Sequence, residues 1–127
     1  MPRVSAAFYT LGVVYLAIGM IAGMVMGAKQ DFALAPAHAH LNLLGWVTTA
    51  LYGTFYALTR ETLSPRLAWA NFYVSAIGTI LMVSTLALTL AGKPGLEGLI
   101  GMGGLIAFIG LLIFGVSVVR ELLRQRT

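Results

Sequence analysis

Four long apolar stretches run through this chain, and short polar segments separate them. They cover about residues 6–27, 37–58, 66–91 and 96–119. A helix of about 20 apolar residues is what crosses the roughly 30 Å hydrocarbon core of a bilayer. Hydrophobic residues make up 59% of the chain and charged residues 9%, whereas a soluble domain carries about 25% charged residues. The sequence therefore predicts an all-α integral membrane protein with four transmembrane helices in a single domain, residues 1–127.

The segments between the apolar stretches contain residues that begin and end helices. Pro36 suits the first turn of a helix, where its missing N–H is not needed, and Ser64 before Pro65 is a suitable N-cap. Because the three connections are short, consecutive helices are expected to be antiparallel neighbours. The first stretch is longer than the apolar region of a signal peptide, so we expect it to be retained.

Basic residues are distributed unevenly between the two sides of such a bundle. Lys29 and Lys93 belong to one side. The other side holds Arg3, Arg60, Arg66, Arg120, Arg124 and Arg126. Because positive charge marks the cytoplasmic face, we expect a protein of the prokaryotic inner (cytoplasmic) membrane with both termini in the cytoplasm. The net charge of +4 comes from loops and ends, which points to lipid headgroups rather than to nucleic acid.

Two histidines, His38 and His40, open the second stretch, and the chain has no others. In the predicted orientation they lie near the outer surface of the membrane. Ionisable groups inside a membrane are costly and usually functional. The chain contains no cysteine, which excludes disulfides and thiolate metal sites. The two imidazoles are therefore the main candidates for chemistry.

The spacing of the two histidines separates their side chains. At 100° per residue, two positions along a helix turn the second side chain about 200° from the first, so one metal ion can hardly bind both. His38 shares its face with Gly45, Thr49, Tyr52 and Tyr56. The face of His40 contains Leu44, Val47, Leu51 and Leu58. This face is apolar apart from Thr54. A ligand bound by His40 is expected to be large, flat and apolar, and haem fits this description.

The segment Ala37-His38-Ala39-His40-Leu41-Asn42-Leu43-Leu44-Gly45-Trp46 resembles a helix of subunit I of the haem–copper oxidases, the superfamily that includes terminal oxidases and nitric oxide reductases. That fold has twelve spans in three four-helix arcs with pseudo-threefold symmetry. The second helix of each arc carries metal or haem ligands near the outer face. In one such helix a His-x-His pair directs one imidazole to a low-spin haem and the other to a high-spin haem. The present pair is similar in span number, position, spacing and direction of insertion.

The resemblance implies a haem protein that assembles from several copies. Three copies would reproduce the twelve-helix arrangement as a homotrimer, with His38 of one subunit facing His40 of its neighbour across each haem. The haem would be b-type, because the chain has no Cys-x-x-Cys-His attachment motif. The residues predicted to bind the haem are His38, His40, Asn42, Gly45 and Trp46, with the two histidines as iron ligands.

The expected activity is electron transfer or haem-based sensing, because six-coordinate iron has no open position. No further histidine exists to hold a copper ion, so oxygen reduction is not implied, and whether the protein is an enzyme is left open. The expected partners are further copies of the chain, the lipid bilayer and a periplasmic or membrane electron carrier.

Two other classes of function stay open. Met20, Met24 and Met26 lie near the depth of the histidines, and thioethers together with imidazoles can bind copper(I). This would give a copper-binding or copper-delivery protein, although methionine also serves as a core filler.

A small transporter is the other class. Transporters of this size usually use a carboxylate inside the membrane, whereas the acidic residues here lie in turns or beside the ends of the apolar stretches.

Three glycines on the first helix, Gly19, Gly23 and Gly27, are spaced four residues apart. This spacing lets two membrane helices approach closely. The pattern leaves open whether the contact lies within one subunit or between subunits.

Overall fold

The computed structural model describes residues 1–124 of the chain. It is all-helical, with 85% helix, and no strand occurs among these residues. In order, the elements are α1 (Arg3–Lys29), α2 (Ala35–His40), a π-helical segment (Leu41–Thr48), α3 (Thr49–Leu58), α4 (Pro65–Leu90) and α5 (Glu97–Arg124). Three helices, α1, α4 and α5, are long and apolar enough to cross a membrane. The all-helical character and these three helices agree with the prediction.

The second apolar stretch forms one composite helix, residues 35–58, in which α2, the π-helical segment and α3 follow one another without a break. The π-helical segment was not predicted. At its end the Thr48 hydroxyl donates a hydrogen bond to the Leu43 carbonyl, and the hydroxyl of Thr49, the first residue of α3, donates one to the Leu44 carbonyl. Both bonds reach five residues back. Long π-helical stretches are rare and often lie at functional sites.

The observed helices begin and end close to the predicted spans, with one clear difference. The last span was predicted to end near residue 119, whereas α5 continues to Arg124. Arg124 pairs with Glu121 one turn earlier, and such pairs stabilise the end of a helix. Arg126, which the sequence counts among the basic residues, lies outside the described residues.

Both predicted helix starts are confirmed. The side chain of Ser64 accepts a hydrogen bond from the backbone N–H of Leu67 at 3.4 Å, and Pro65 is the first residue of α4. Pro36 lies in the first turn of α2. The first backbone N–H groups of a helix have no partner within the helix. Ser64 accepts a hydrogen bond from one of them, and the prolines have no N–H group to leave unpaired.

Helices α4 and α5 pack against each other through small residues. A Cβ at Gly103 would lie 2.5 Å from the backbone nitrogen of Met82, and one at Gly78 would meet the backbone of Ala107. Inside a membrane, close contact of this kind replaces the hydrophobic effect as the force that holds helices together. The two helices therefore form a hairpin whose separation is set by glycine.

An aromatic cluster joins this hairpin to α1 and the composite helix. The ring of Phe114 on α5 lies 4.6 Å from that of Tyr52 and 5.1 Å from that of Phe55. Phe8 of α1 lies 5.2 Å from Phe72 of α4 and is 1% exposed. All four long helical stretches thus meet at the end of the molecule where arginine is abundant, and the histidines lie at the opposite end.

Candidate functional site

His40 is exposed on the outer side of the composite helix. Its Nδ1 atom lies 2.7 Å from the carbonyl oxygen of Pro36, one turn earlier in α2. The carbonyl can only accept a hydrogen bond, so Nδ1 donates. The neutral ring then has its lone pair on Nε2. A ring nitrogen held by a backbone carbonyl, with the other nitrogen presented to a ligand, is the usual arrangement of a metal-binding histidine.

His38 has different surroundings, as its spacing from His40 predicts. Its side chain is half-buried, and a Cβ placed on Gly23 of α1 would lie 3.0 Å from its Cε1 atom. His38 Nε2 lies 3.4 Å from the amide nitrogen of Asn42, which can donate a weak hydrogen bond to it. One histidine therefore faces α1 and the other faces away from the chain.

Two polar atoms in this site are buried without a hydrogen-bond partner. They are Nδ1 of His38 and Oδ1 of Asn42. Most buried polar side-chain atoms in proteins are hydrogen-bonded, and an exception calls for a water, an ion or a functional role. Among residues 1–124 the only other such atoms are Ser5 Oγ and Tyr15 OH, and Tyr15 lies in the same interface.

The glycines of α1 make room for these side chains within one subunit. A Cβ at Gly19 would overlap the side-chain oxygen of Asn42, and Gly23 lies against His38. By contrast, a Cβ at Gly27 would meet nothing within 4 Å. The sequence left open whether the glycine pattern makes its contact within one subunit or between subunits. At Gly19 and Gly23 the contact lies within the subunit.

The other predicted site residues, Gly45 and Trp46, also face α1. A Cβ at Gly45 would lie 2.9 Å from three atoms of the Tyr15 side chain. A Cβ at Gly12 would lie 3.1 Å from Cε3 of Trp46. The structure thus brings His38, Asn42, Gly45 and Trp46 together along α1, and it places His40 outside this interface.

The π-helical segment accounts for this alignment. His38, Asn42 and Trp46 are spaced four residues apart, and the regular α-helical geometry assumed from the sequence would rotate the last of them by about 80° from the first. The wider turn of a π-helix brings side chains at this spacing closer to one line. All three contact the same face of α1, at Gly23, Gly19 and Gly12.

The methionines near the histidines do not share one surface. Met20 is 56% exposed and Met24 65% exposed, whereas Met26 is buried at 8%. Within the described part of the chain no group of three or more His, Cys, Asp or Glu side chains could hold a metal ion.

A buried hydrogen-bond network in the opposite half of the molecule was not anticipated. The amide nitrogen of Asn71 donates to the Tyr56 hydroxyl at 3.2 Å, and Ser75 donates to the Asn71 side-chain oxygen at 2.7 Å. The Tyr56 hydroxyl also lies 3.2 Å from Oγ of Ser117. The sequence signal for this network is the spacing of two polar residues, 71 and 75, one turn apart in an apolar span. The network links the composite helix to both helices of the hairpin.

Comparison of the chain with models of protein families, with curated proteins and with solved structures finds no match.

Proposed function

We propose that this chain is a four-span protein of the prokaryotic inner membrane that binds haem b and serves in electron transfer or haem-based sensing. Each haem lies between two copies of a homotrimer. His40 of one subunit and His38 of its neighbour would hold the haem iron. When bound, haem would supply one-electron redox chemistry.

The observation that carries this proposal is the state of His40. The hydrogen bond from its Nδ1 to the Pro36 carbonyl fixes Nε2 as the nitrogen that can bind iron. The same bond limits rotation of the ring. Because His40 is exposed, its Nε2 is accessible to a ligand that lies against the outer side of the composite helix.

The surface next to His40 suits an apolar macrocycle. Leu43 is 61% exposed, Val47 43% and Leu51 61% in a single subunit. These side chains follow His40 along the composite helix towards the centre of the membrane. A flat ligand packed on them, and covered by a second subunit, would be shielded from water, and its reduction potential would depend on that shielding.

His38 is the ligand that calls for a second subunit. It lies on the face of the composite helix that contacts α1, so it cannot bind the iron that His40 of the same chain binds. The contact between its Nε2 and Asn42 is long, at 3.4 Å, and its Nδ1 is unpaired. Ligation requires the imidazole to turn away from Asn42, and that rotation breaks no hydrogen bond at Nδ1.

The composite helix is the fourth span of this proposal. It runs from Ala35 to Leu58, and at about 1.5 Å per residue it is long enough to cross a hydrocarbon core of about 30 Å. The end of the bundle where arginine is abundant is then cytoplasmic. The histidines lie at the outer side, where a periplasmic or membrane electron carrier has access.

Mixing two variants tests the shared site. His38→Ala and His40→Ala are produced separately with different affinity tags, and each is expected to lack low-spin haem. Expressed together in equal amounts and purified through both tags in succession, they are expected to recover haem, because some interfaces then carry one intact histidine from each subunit. In a cyclic trimer that contains both variants, one of the three interfaces has both histidines, so about one third of the sites in the doubly purified protein would be restored. Mixed oligomers without haem, or a single variant that keeps a bis-histidine spectrum, would contradict the proposal.

A further inference from the structure

A cleft opens at the end of the molecule opposite to the histidines. It lies between the turn of residues 59–64 and the last turns of α5, and its volume is about 400 Å³. Its lining includes Phe55, Leu63, Ser64, Arg120, Glu121 and Leu123. A second depression of about 350 Å³ shares Thr59, Thr62, Glu121 and Arg124 with it and extends to Arg60 and Glu61. None of these residues has a role in the proposed haem site.

One wall of the cleft is apolar and continuous with the outer surface of the helices. Phe55 and Leu63 are partly buried beside the core, whereas Leu123 is 55% exposed. Val119, one turn before Leu123 on α5, is 52% exposed. An apolar chain could therefore leave the cleft along α5 without crossing a polar surface.

Other lining residues offer hydrogen-bond donors and a positive charge. The Ser64 oxygen accepts from the Leu67 N–H, so its hydroxyl hydrogen stays available. The guanidinium of Arg120 makes no hydrogen bond or ion pair within residues 1–124. The one carboxylate in the cleft, that of Glu121, is already held by Thr62 at 2.8 Å and by Arg124. The available charge in the cleft is therefore that of Arg120.

From this combination we infer that the cleft binds the headgroup of an anionic phospholipid, with the acyl chains lying along α5. The phosphate would accept hydrogen bonds from Arg120 and Ser64. Arginine suits this role because its planar guanidinium can donate two parallel hydrogen bonds to a phosphate. In the predicted orientation the cleft faces the cytoplasmic leaflet, where a negative surface attracts basic side chains.

A zwitterionic lipid fits the cleft less well. Its headgroup adds a cation that the positive charge of Arg120 repels, because Glu121, the carboxylate of the cleft, is already held by Thr62 and Arg124. Phosphatidylglycerol has the same phosphate but only hydroxyl groups beyond it. The cleft is therefore expected to prefer phosphatidylglycerol to phosphatidylcholine.

The preference is measured by native mass spectrometry on the full chain in detergent, titrated with dioleoyl phosphatidylglycerol or with dioleoyl phosphatidylcholine. The wild type is expected to bind the anionic lipid more tightly. Arg120→Gln is expected to weaken its binding about fivefold, the effect of one basic residue at a membrane surface. Arg66→Gln is the matched control, because Arg66 is exposed at the same end but does not line the cleft. It is expected to leave the binding unchanged.

Three results would overturn the inference. They are equal binding of the two lipids by the wild type, an equal loss for both variants, and displacement of the bound lipid by soluble glycerol 3-phosphate. The last would show that the headgroup alone is recognised. The measurement uses haem-free protein, so its outcome is independent of whether the histidines bind haem.

Discussion

Asn42 contacts His38 through its amide nitrogen, 3.4 Å from the imidazole Nε2, while its own oxygen is buried without a partner. The two side chains lie one turn apart, and they pack against Gly19 and Gly23 of α1. Histidine and asparagine are thus placed inside an interface where the glycines of α1 leave room for them. The position of His38 depends on that interface, and the position of His40 depends on the carbonyl of Pro36.

Gly19→Ala is expected to destabilise the protein. The new methyl group would overlap the Asn42 side chain, and overpacking of this kind costs about 1–3 kcal/mol. The measurement is the thermal unfolding of the variant in detergent, followed by circular dichroism. Gly27→Ala is the control, because a Cβ there meets nothing within 4 Å. Equal midpoints for the two variants would show that α1 does not pack on the composite helix at Gly19.

Gly103→Ala is expected to separate α4 from α5. The added Cβ would lie 2.5 Å from the backbone nitrogen of Met82, and a backbone cannot move aside as a side chain can. Unfolding in increasing sodium dodecyl sulfate is expected to begin at a lower detergent fraction than in the wild type. Gly101→Ala, whose Cβ would meet nothing within 4 Å, is expected to behave like the wild type. If it is as unstable as Gly103→Ala, helix contact is not the cause.

Asn71→Leu is expected to lower stability by about 1 kcal/mol, a typical value for a side-chain hydrogen bond between membrane helices. Asn71 is fully buried, and the change removes its bonds to Tyr56 and Ser75. The free energy of unfolding is compared with that of Ser84→Ala, which alters an exposed residue of the same helix. The network would have no part in stability if the two variants unfold alike.

The haem-free protein is expected to contain His40 as the tautomer with its proton on Nδ1. Nitrogen NMR of protein labelled at histidine reports the protonation of each ring nitrogen, and the chain supplies only two histidines to distinguish. His38→Ala assigns the remaining signals to His40. A neutral ring protonated on Nε2 would mean that the Pro36 carbonyl does not orient His40.

The long helices could be predicted from the sequence because hydropathy and helix caps act locally. Uninterrupted apolar residues indicated α1, α4 and α5, and Ser64 with Pro65 marked the start of α4. The different surroundings of His38 and His40 followed from their spacing in a helix. These features depend on neighbouring residues along the chain.

The remaining features depend on contacts between helices, which the sequence does not encode locally. No residue pattern from Leu41 to Thr48 distinguishes a π-helix from an α-helix, so the alignment of Trp46 with His38 was not foreseen. The hydrogen-bond network around Asn71 joins residues of three helices: Tyr56 of the composite helix, Asn71 and Ser75 of α4, and Ser117 of α5. The cleft at Arg120 likewise forms only when the turn after the composite helix meets the end of α5.

The most direct test of the proposed haem site is the absorption and electron paramagnetic resonance spectrum of wild-type protein purified from membranes, recorded beside His40→Ala. We expect the wild type to show a Soret band and a low-spin signal typical of two imidazole ligands, and the variant to lose both. Purified wild-type protein that is colourless when produced with ample haem, or that carries stoichiometric copper instead, would contradict the proposal.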